Sequence, residues 1–165
     1  MRVASETYSC VSAPIQHAAV AAYALDDEDL NLYKRNSGRI LEVVGNHVTK
    51  KLLEYDVKVH NPEGGFYVYP DFSNYKDAIN SKLGTNSSIE FFKIMLEQTG
   101  VSLLAGGYFN SPDEDNYCGR LAFVDFNGEE ILNYMKQNPE VPLDVQFLLS
   151  KTPKCVEGID ALCTW

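Results

Sequence analysis

The order of the predicted elements favours an α+β fold of two layers, in which a small sheet packs against helices. Helical and strand patterns occupy separate stretches of the chain, and this segregation is typical of the α+β class. Apolar residues recur at three- and four-residue steps in the helical stretches, whereas short apolar runs beside glycine and proline mark three or four strands. The 165 residues are enough to bury a core as one domain, or as two small ones.

Two helices are predicted in the first third of the chain. Pro14 at a first helical position, followed by alanines, predicts a helix to Leu25 with Ser12 as its cap. A longer helix is predicted from about Asp27 to Glu54. Its apolar stripe is expected to be buried and consists of Leu30, Tyr33, Ser37, Ile40, Val44, Val48 and Leu52.

The strands are predicted beside turns rich in glycine and proline. The four strand segments are Val57–Val59, Phe66–Tyr69, Val101–Ala105 and Leu121–Phe126. A turn that ends at Gly65 separates the first two, and Pro70 stops the second because proline cannot donate to a sheet ladder.

Helices are also predicted in the second half of the chain. The best marked is Ser87–Thr99, where Ser87 and Glu90 form a capping box and Gly100 closes the helix. Its buried stripe is expected to be Ile89, Phe92 and Leu96. Shorter helices are predicted over residues 75–83, 128–137 and 143–149, and no element is assigned to the tail that follows.

The composition excludes two classes of partner. The chain has 14 basic against 23 acidic residues, and its net charge of −9 argues against nucleic acid, whose phosphates need a basic surface. No apolar run approaches the roughly 18 residues of a membrane-spanning helix. The first residues lack the apolar core of a signal peptide, so a cytoplasmic protein is expected.

No metal site is expected. The acidic run from Asp26 to Asp29 opens a predicted helix, where negative charge suits the helix dipole. The four cysteines have neither the spacing of a zinc site nor a histidine at zinc spacing, and we expect them to be reduced.

Arg120 is the side chain most suggestive of chemistry. It stands at the start of the apolar strand Leu121–Phe126, where a buried and unpaired charge would be very costly. Two interpretations stay open from the residues alone. Arg120 forms a salt bridge with one of the 23 acidic residues, or its guanidinium binds the anion of a ligand.

Four segments carry a resemblance to a known family. They are Pro62–Ser73 with its Gly64-Gly65-Phe66-Tyr67 turn, Gly119–Gly128 with the Arg120 strand, Leu103–Phe109, and Ser12–Gln16. In their order along the chain they resemble the small, C-terminal domain of class I/II aminotransferases, the pyridoxal-phosphate (PLP) enzymes of fold type I. Ala105 departs from the pattern, since the family commonly has proline there.

The resemblance implies both a fold and a site. The chain would be a single C-terminal small domain over residues 1–165, with residues 1–25 as the junction from a large domain. In the family, an arginine at the position of Arg120 binds the α-carboxylate of the substrate, and the turn at Gly65 and Phe66 lines the pocket. The parent protein would form a homodimer and exchange an amino group between an α-amino acid and a 2-oxo acid.

The resemblance also implies what the chain lacks. The family's Schiff-base lysine and phosphate-binding loop belong to the large domain, and PLP enzymes require both. Ser81-Lys82-Leu83-Gly84 and Ser150-Lys151-Thr152 are superficially similar to the lysine motif, but neither precedes the family's glycine and arginine pattern. No catalytic residue is therefore assigned, and the fragment is expected to bind no PLP and to be inactive by itself.

Three hypotheses follow. The chain is the small domain of an aminotransferase, or a non-catalytic binding or assembly domain of the same ancestry, or an unrelated α+β enzyme. No nucleophile with histidine and acid, and no metal-ligand pattern, supports the third. An upstream reading frame with a Ser-Lys-x-x-Gly motif would distinguish the first from the second.

Overall fold

The computed structural model describes residues 11–109 and 112–165, and their architecture is α+β. These ranges contain seven α-helices and three short strands. The helices are α1 (Ala13–Ala24), α2 (Glu28–Glu54), α3 (Lys76–Leu83), α4 (Ser88–Thr99), α5 (Gly128–Gln137), α6 (Val145–Lys151) and α7 (Pro153–Thr164). The strands are β1 (Tyr67–Val68), β2 (Leu104–Ala105) and β3 (Gly119–Ala122). Short 3-10 turns occur at Ser73–Tyr75 and Gly106–Tyr108.

The chain divides into two compact units, and the boundary lies within α2 between Lys34 and Arg35. The second unit contains the sheet and all of the buried apolar core of the described residues. In the first unit, no residue of α1 is buried.

The sheet is antiparallel, with β3 between β1 and β2. Val68 pairs with Leu121 and both are buried, whereas Leu104 pairs with Arg120 and is partly exposed. Because successive side chains of a strand point to opposite faces, Leu121 belongs to the core face and Arg120 to the open face. The register of β3 therefore presents the arginine on the side of the sheet that is not fully covered.

The strands are shorter than the sequence predicts, and one is missing from the described part of the chain. Val57–Val59 is not a strand, because pairing there is limited to a single bridge between Lys58 and Asp71. The last strand covers Gly119–Ala122 rather than Leu121–Phe126. It ends early because the chain turns where the amide of Phe126 bonds to the carbonyl of Val124, ahead of the cap of α5.

The predicted stripe of α2 is confirmed in the second unit only. Its buried apolar residues are Ile40, Val44, Val48 and Leu52. Leu30 and Ser37 are half-buried, and Tyr33 is exposed, so the prediction of a continuous buried stripe is wrong for the first turns. The spacing of apolar residues identifies one face of a helix but does not determine how far along it other elements pack.

Helix α4 is rotated relative to its predicted orientation. Phe91, Phe92 and Met95 are buried and Ile89 is half-buried, whereas Leu96 is 43% exposed, so the prediction that Leu96 is buried is wrong. Aromatic packing explains the difference. The ring centroid of Phe91 lies 5.7 Å from that of Phe72 and 4.7 Å from that of Phe92. Large rings bury more apolar area than a leucine, so they face the core.

The predicted helix ends are largely confirmed. The Ser87 hydroxyl accepts a hydrogen bond from the amide of Glu90 at 3.2 Å, and α4 ends at Gly100 with a positive φ of 75°. Ser12 stands at the cap position of α1, but its side chain makes no capping bond. Helix α6 begins at Val145 rather than Leu143, because the Asp144 carboxylate accepts the amide of Phe147. The unassigned tail forms α7, which opens with a proline.

Within the described ranges, no helix is both long enough and apolar enough to cross a membrane. The same residues contain no cluster of three or more side chains that could hold a metal ion. Cys118, Cys155 and Cys163 are free thiols, and Cys10 lies outside the described residues.

Replacing Gly119 by alanine tests the packing of β3 against α4. A Cβ atom at Gly119 would lie 2.6 Å from Cζ of Phe92, whose ring is buried. Overpacking of a core costs about 1–3 kcal/mol, so we expect Gly119→Ala to lower the free energy of unfolding by that amount in urea titrations.

Gly128→Ala is the matched control, because a Cβ atom there meets no atom within 4 Å and α5 begins at this residue. We expect it to leave the free energy of unfolding unchanged or to raise it slightly, since alanine favours helix. Equal stability of the two variants would show that β3 does not pack on Phe92 in this way.

Candidate anion-binding site

Arg120 lies at the centre of the open face of the sheet. It is half-buried on the middle strand β3, opposite Leu104 of β2. Tyr67 of β1 pairs with Ala122, two residues after Arg120, and therefore shares its face. The three strands thus fix the position of the arginine backbone, because β3 is bonded on both sides.

Two aromatic rings hold the guanidinium of Arg120. Its Cζ atom lies 4.5 Å from the ring centroid of Tyr67 and 5.2 Å from that of Phe109, which follows the 3-10 turn Gly106–Tyr108. Both distances are within the roughly 6 Å range of a cation–π interaction. The Phe66 ring packs against that of Tyr67 at a centroid distance of 4.3 Å and a tilt of 42°, and the rings of Tyr69 and Phe109 are nearly perpendicular at 6.2 Å.

The guanidinium has no acidic partner among the described residues. The ion pairs in these ranges involve lysines, and neither an ion pair nor a side-chain hydrogen bond of Arg120 is found there. An arginine carries five N–H donors in a planar fork that matches a carboxylate. This surface is therefore suited to an external anion, and the salt-bridge interpretation finds no support in the described residues.

Gly65 and Phe66 come directly before β1. Gly65 has a φ of 71°, a left-handed conformation that favours glycine, and a Cβ atom there would meet open space. The carbonyl of Phe66 accepts the amide of Phe123 at 3.2 Å, and the Phe66 ring is 39% exposed. The turn is thus structural, and it leaves the Phe66 side chain partly exposed next to Tyr67.

A polar network anchors the segment that carries Phe109. The Asp113 carboxylate accepts hydrogen bonds from the hydroxyls of Ser87 and Ser88 at 2.6 and 2.7 Å and from the amide of Ile89 at 2.9 Å. The Ser88 oxygen in turn accepts the amide of Gly107 at 3.0 Å. This network links the N-terminus of α4 to the 3-10 turn before Phe109.

Two contributors to this surface, Tyr67 and Phe109, were not assigned a role from the sequence. Phe109 ends the Leu103–Phe109 segment, so its position in that motif was the available signal. Its contact with Arg120 depends on the fold of the turn between β2 and β3. Tyr67 adjoins Phe66, but only the register of β1 on β3 shows that it faces the arginine.

Among the described residues, no lysine lies on the three strands of this face. Every lysine lies on a helix except Lys58, whose ammonium contacts the Ser73 hydroxyl. The Lys151 ammonium lies 3.7 Å from Glu130 and over the Tyr134 ring, and Lys82 lies on α3. Burial raises the pKa of the Cys118 thiol to about 11, so it stays protonated at neutral pH.

The amino-acid sequence matches the family profile described as aminotransferase class I and II over residues 1–135. The chain belongs to the class I and II aminotransferase family. The expected resemblance is thereby confirmed, as is the α+β class of the fold.

Three relatives are similar to this chain. An asparagine–oxo-acid transaminase of Streptococcus mutans is 30% identical over 112 residues, which are 68% of this chain and 27% of the relative. An aspartate aminotransferase of Bacillus subtilis is 32% identical over 112 residues, which are 67% of this chain and 26% of the relative. An aspartate aminotransferase of Pinus pinaster is 29% identical over 124 residues, which are 74% of this chain and 24% of the relative. The chain spans about a quarter of the length of these relatives.

Two solved structures are also similar to this chain. The aspartate aminotransferase of Thermotoga maritima aligns with a TM-score of 0.44 at 24% identity, covering 85% of this chain and 32% of that one. The aromatic aminotransferase of Pyrococcus horikoshii aligns with a TM-score of 0.46 at 20% identity, covering 87% of this chain and 29% of that one.

The charge of Asp113 is expected to stabilise the folded chain in a pH-dependent way. Hydrogen bonds from the Ser87 and Ser88 hydroxyls, and from the amide of Ile89, hold the pKa of Asp113 below its usual value. The stabilisation is therefore complete above the unfolded pKa of about 3.9 and is lost as pH falls through the lower folded pKa. We expect Asp113→Asn to lower Tm by several degrees at pH 7 and to flatten its acid dependence.

Glu114→Gln is the matched control, because it removes the same charge from an exposed neighbouring residue. Thermal melts from pH 7 down to pH 2 compare the variants. If Asp113→Asn follows the wild-type curve at every pH, the network does not depend on the carboxylate.

Proposed function

We propose that this chain is the C-terminal part of a PLP-dependent aminotransferase, which transfers an amino group between an α-amino acid and a 2-oxo acid. Arg120 would bind the α-carboxylate that both substrates share. The family membership and the named relatives support this reaction class. The arginine at the position expected from the family motif, on the open face of the sheet, supports the site.

The observation that carries the proposal is the Arg120 guanidinium without an acidic partner in the described residues. Cation–π contacts with Tyr67 and Phe109 orient the positive charge but do not neutralise it. A chain with 23 acidic residues has many candidates for a structural ion pair, yet none of those described approaches this arginine. A bidentate carboxylate from a substrate would satisfy both the charge and the planar fork.

We propose that Gly65 and Phe66 line the substrate side of the same pocket. The open space at Gly65 allows a ligand to approach the backbone, and the exposed Phe66 ring offers an apolar wall. Neither residue provides a charge. Their part would be to shape the pocket around the carboxylate that Arg120 binds.

PLP, when bound to an aminotransferase, stabilises the carbanion formed at the substrate's α-carbon. The described residues do not fit this cofactor, since no lysine lies on the strands beside Arg120. We propose that the lysine and the phosphate donors belong to a large domain, to which residues 1–25 are the junction and residues 1–165 the small domain. The isolated chain would then be inactive and hold no PLP.

The second candidate is a non-catalytic binding or assembly domain of aminotransferase ancestry. It is favoured by the position of the lysines, none of which lies on the strands beside Arg120. The coding sequence upstream of Met1 distinguishes the two. A continuous reading frame with a Ser-Lys-x-x-Gly motif supports the enzyme, whereas an in-frame stop supports the binding domain.

Arg120→Ala in the full-length protein tests the proposed site. We expect kcat/KM to fall for α-amino acids and 2-oxo acids alike, because both lose the same charge-assisted pair, whose bonds contribute about 1.5–3 kcal/mol each. Arg120→Lys should restore little, since an ammonium lacks the planar fork. PLP absorbance should be unchanged in both variants.

Arg39→Ala is a control, since Arg39 donates to the carbonyl of Val141 and lies on α2. We expect it to leave kcat/KM close to that of the wild type. An Arg120→Ala protein that kept full kcat/KM but melted at a lower temperature would identify Arg120 as a structural residue.

We also propose that the parent is a cytoplasmic homodimer, in which apolar residues of the segment 11–20 and Phe66 contribute to contacts. Val11, Ile15 and Val20 are each more than half exposed, and large exposed apolar surfaces favour association. We expect the 165-residue chain to self-associate with increasing concentration in sedimentation velocity, and Ile15→Glu to weaken this.

His17→Glu is the control for Ile15→Glu. It places the same negative charge on the same helix, but at an exposed polar residue. It should sediment like the wild type. A wild-type chain that stays monomeric at high concentration would contradict the association.

A further inference from the structure

We propose that Tyr67 and Phe109 form an aromatic clamp that positions the Arg120 guanidinium for its anion. This inference rests on the proposed function, because the anion is the carboxylate of that substrate. It gives Tyr67 and Phe109, which carry no charge, a part in binding the anion. Both are positioning residues, since they act through Arg120.

The clamp residues come from different parts of the chain and meet at one atom. Tyr67 lies on the edge strand β1, and Phe109 follows the 3-10 turn after the other edge strand, β2. Each contributes one ring to an arginine on the middle strand. The Cζ atom of Arg120 lies over both rings, at 4.5 and 5.2 Å. The half-buried side chain of Arg120 is thus restrained without a carboxylate partner.

Aromatic rings suit this task because they hold a cation without using its hydrogen-bond donors. A structural carboxylate would also restrain the guanidinium, but it would occupy the fork that a substrate needs and would compete with it. A ring attracts the charge through its π face and accepts no conventional hydrogen bond from the fork. A restrained arginine loses less side-chain freedom when the anion binds, so affinity rises.

Contacts independent of any ligand fix the position of Phe109. Its amide donates to the carbonyl of Gly106 at 2.8 Å, and the edge of its ring meets Tyr69. The preceding Gly107 is bonded to Ser88, which is completely buried and held by Asp113. The turn is closely packed, since a Cβ atom at Gly106 would lie 2.8 Å from the Tyr69 hydroxyl oxygen. The ring is therefore already in place before an anion arrives.

The test uses the complete 165-residue chain and pyruvate, the simplest 2-oxo acid, as the probe. The Nε–Hε resonance of Arg120 is observed in ¹H–¹⁵N spectra and assigned by its absence in Arg120→Lys. Ring currents from the clamp should displace this resonance from that of a solvated arginine. Phe109→Leu and Tyr67→Leu should each return it toward the solvated position and raise the pyruvate Kd about two- to fivefold, the range that a cation–π contact at an exposed site provides.

Conservative variants separate the clamp from folding effects. Phe109→Tyr and Tyr67→Phe keep a ring and should restore both the resonance position and the Kd. Tyr108→Leu is the matched control, because Tyr108 neighbours Phe109 on the chain and is 62% exposed, and it should behave like the wild type. Circular dichroism verifies that each variant is folded. If a leucine variant unfolds, its tyrosine or phenylalanine counterpart and the other clamp residue decide the outcome.

The outcomes distinguish the clamp from the proposed function. If both leucine variants keep the wild-type resonance and Kd while Arg120→Lys loses pyruvate binding, the clamp is wrong and the proposed site survives. If Arg120→Lys binds pyruvate as well as the wild type, the proposed function of Arg120 is wrong. If pyruvate produces no saturable shift in the wild-type chain, the part of the clamp in anion binding is overturned.

Discussion

The alternation of side chains along β3 is the constraint on which the rest of the structure depends. Gly119 packs against the buried ring of Phe92, Leu121 points into the core, and Arg120 between them is directed to the opposite face. Pairing with both β1 and β2 fixes this register. A shift of one residue would place the arginine in the core and a leucine on the open face, at a cost that no local contact could offset.

The open face combines a full positive charge with aromatic surface. A half-buried arginine normally finds a carboxylate, and the chain has 23 acidic residues from which one could have been supplied. The described residues instead supply rings, which lower the energy of the cation while leaving its donors unused. An anion that paired with these donors would complete the arrangement, and this is the basis of the proposed binding site.

The proposed division between a small and a large domain would account for a described surface that carries the charge of Arg120 but no lysine on its strands. The chain covers about a quarter of its relatives, and its lysines lie on helices or in a loop rather than on the strands that carry Arg120. Exposed apolar residues on α1 and at Phe66 are consistent with surfaces that other parts of an assembly cover. Recognition of the carboxylate and the chemistry on PLP would then belong to different domains.

The sequence by itself determined the α+β class, the helix end at Gly100, and the position of Arg120 beside an apolar strand. These depend on local chemistry, namely backbone freedom at glycine, capping, and short-range periodicity. Only the tertiary structure decided which face of α4 is buried, because the choice between Leu96 and Phe91 depends on the rings of Phe72 and Phe92. It likewise brought Tyr67 and Phe109 to the arginine, since contacts between distant segments follow from strand register and not from any residue's neighbours in the chain.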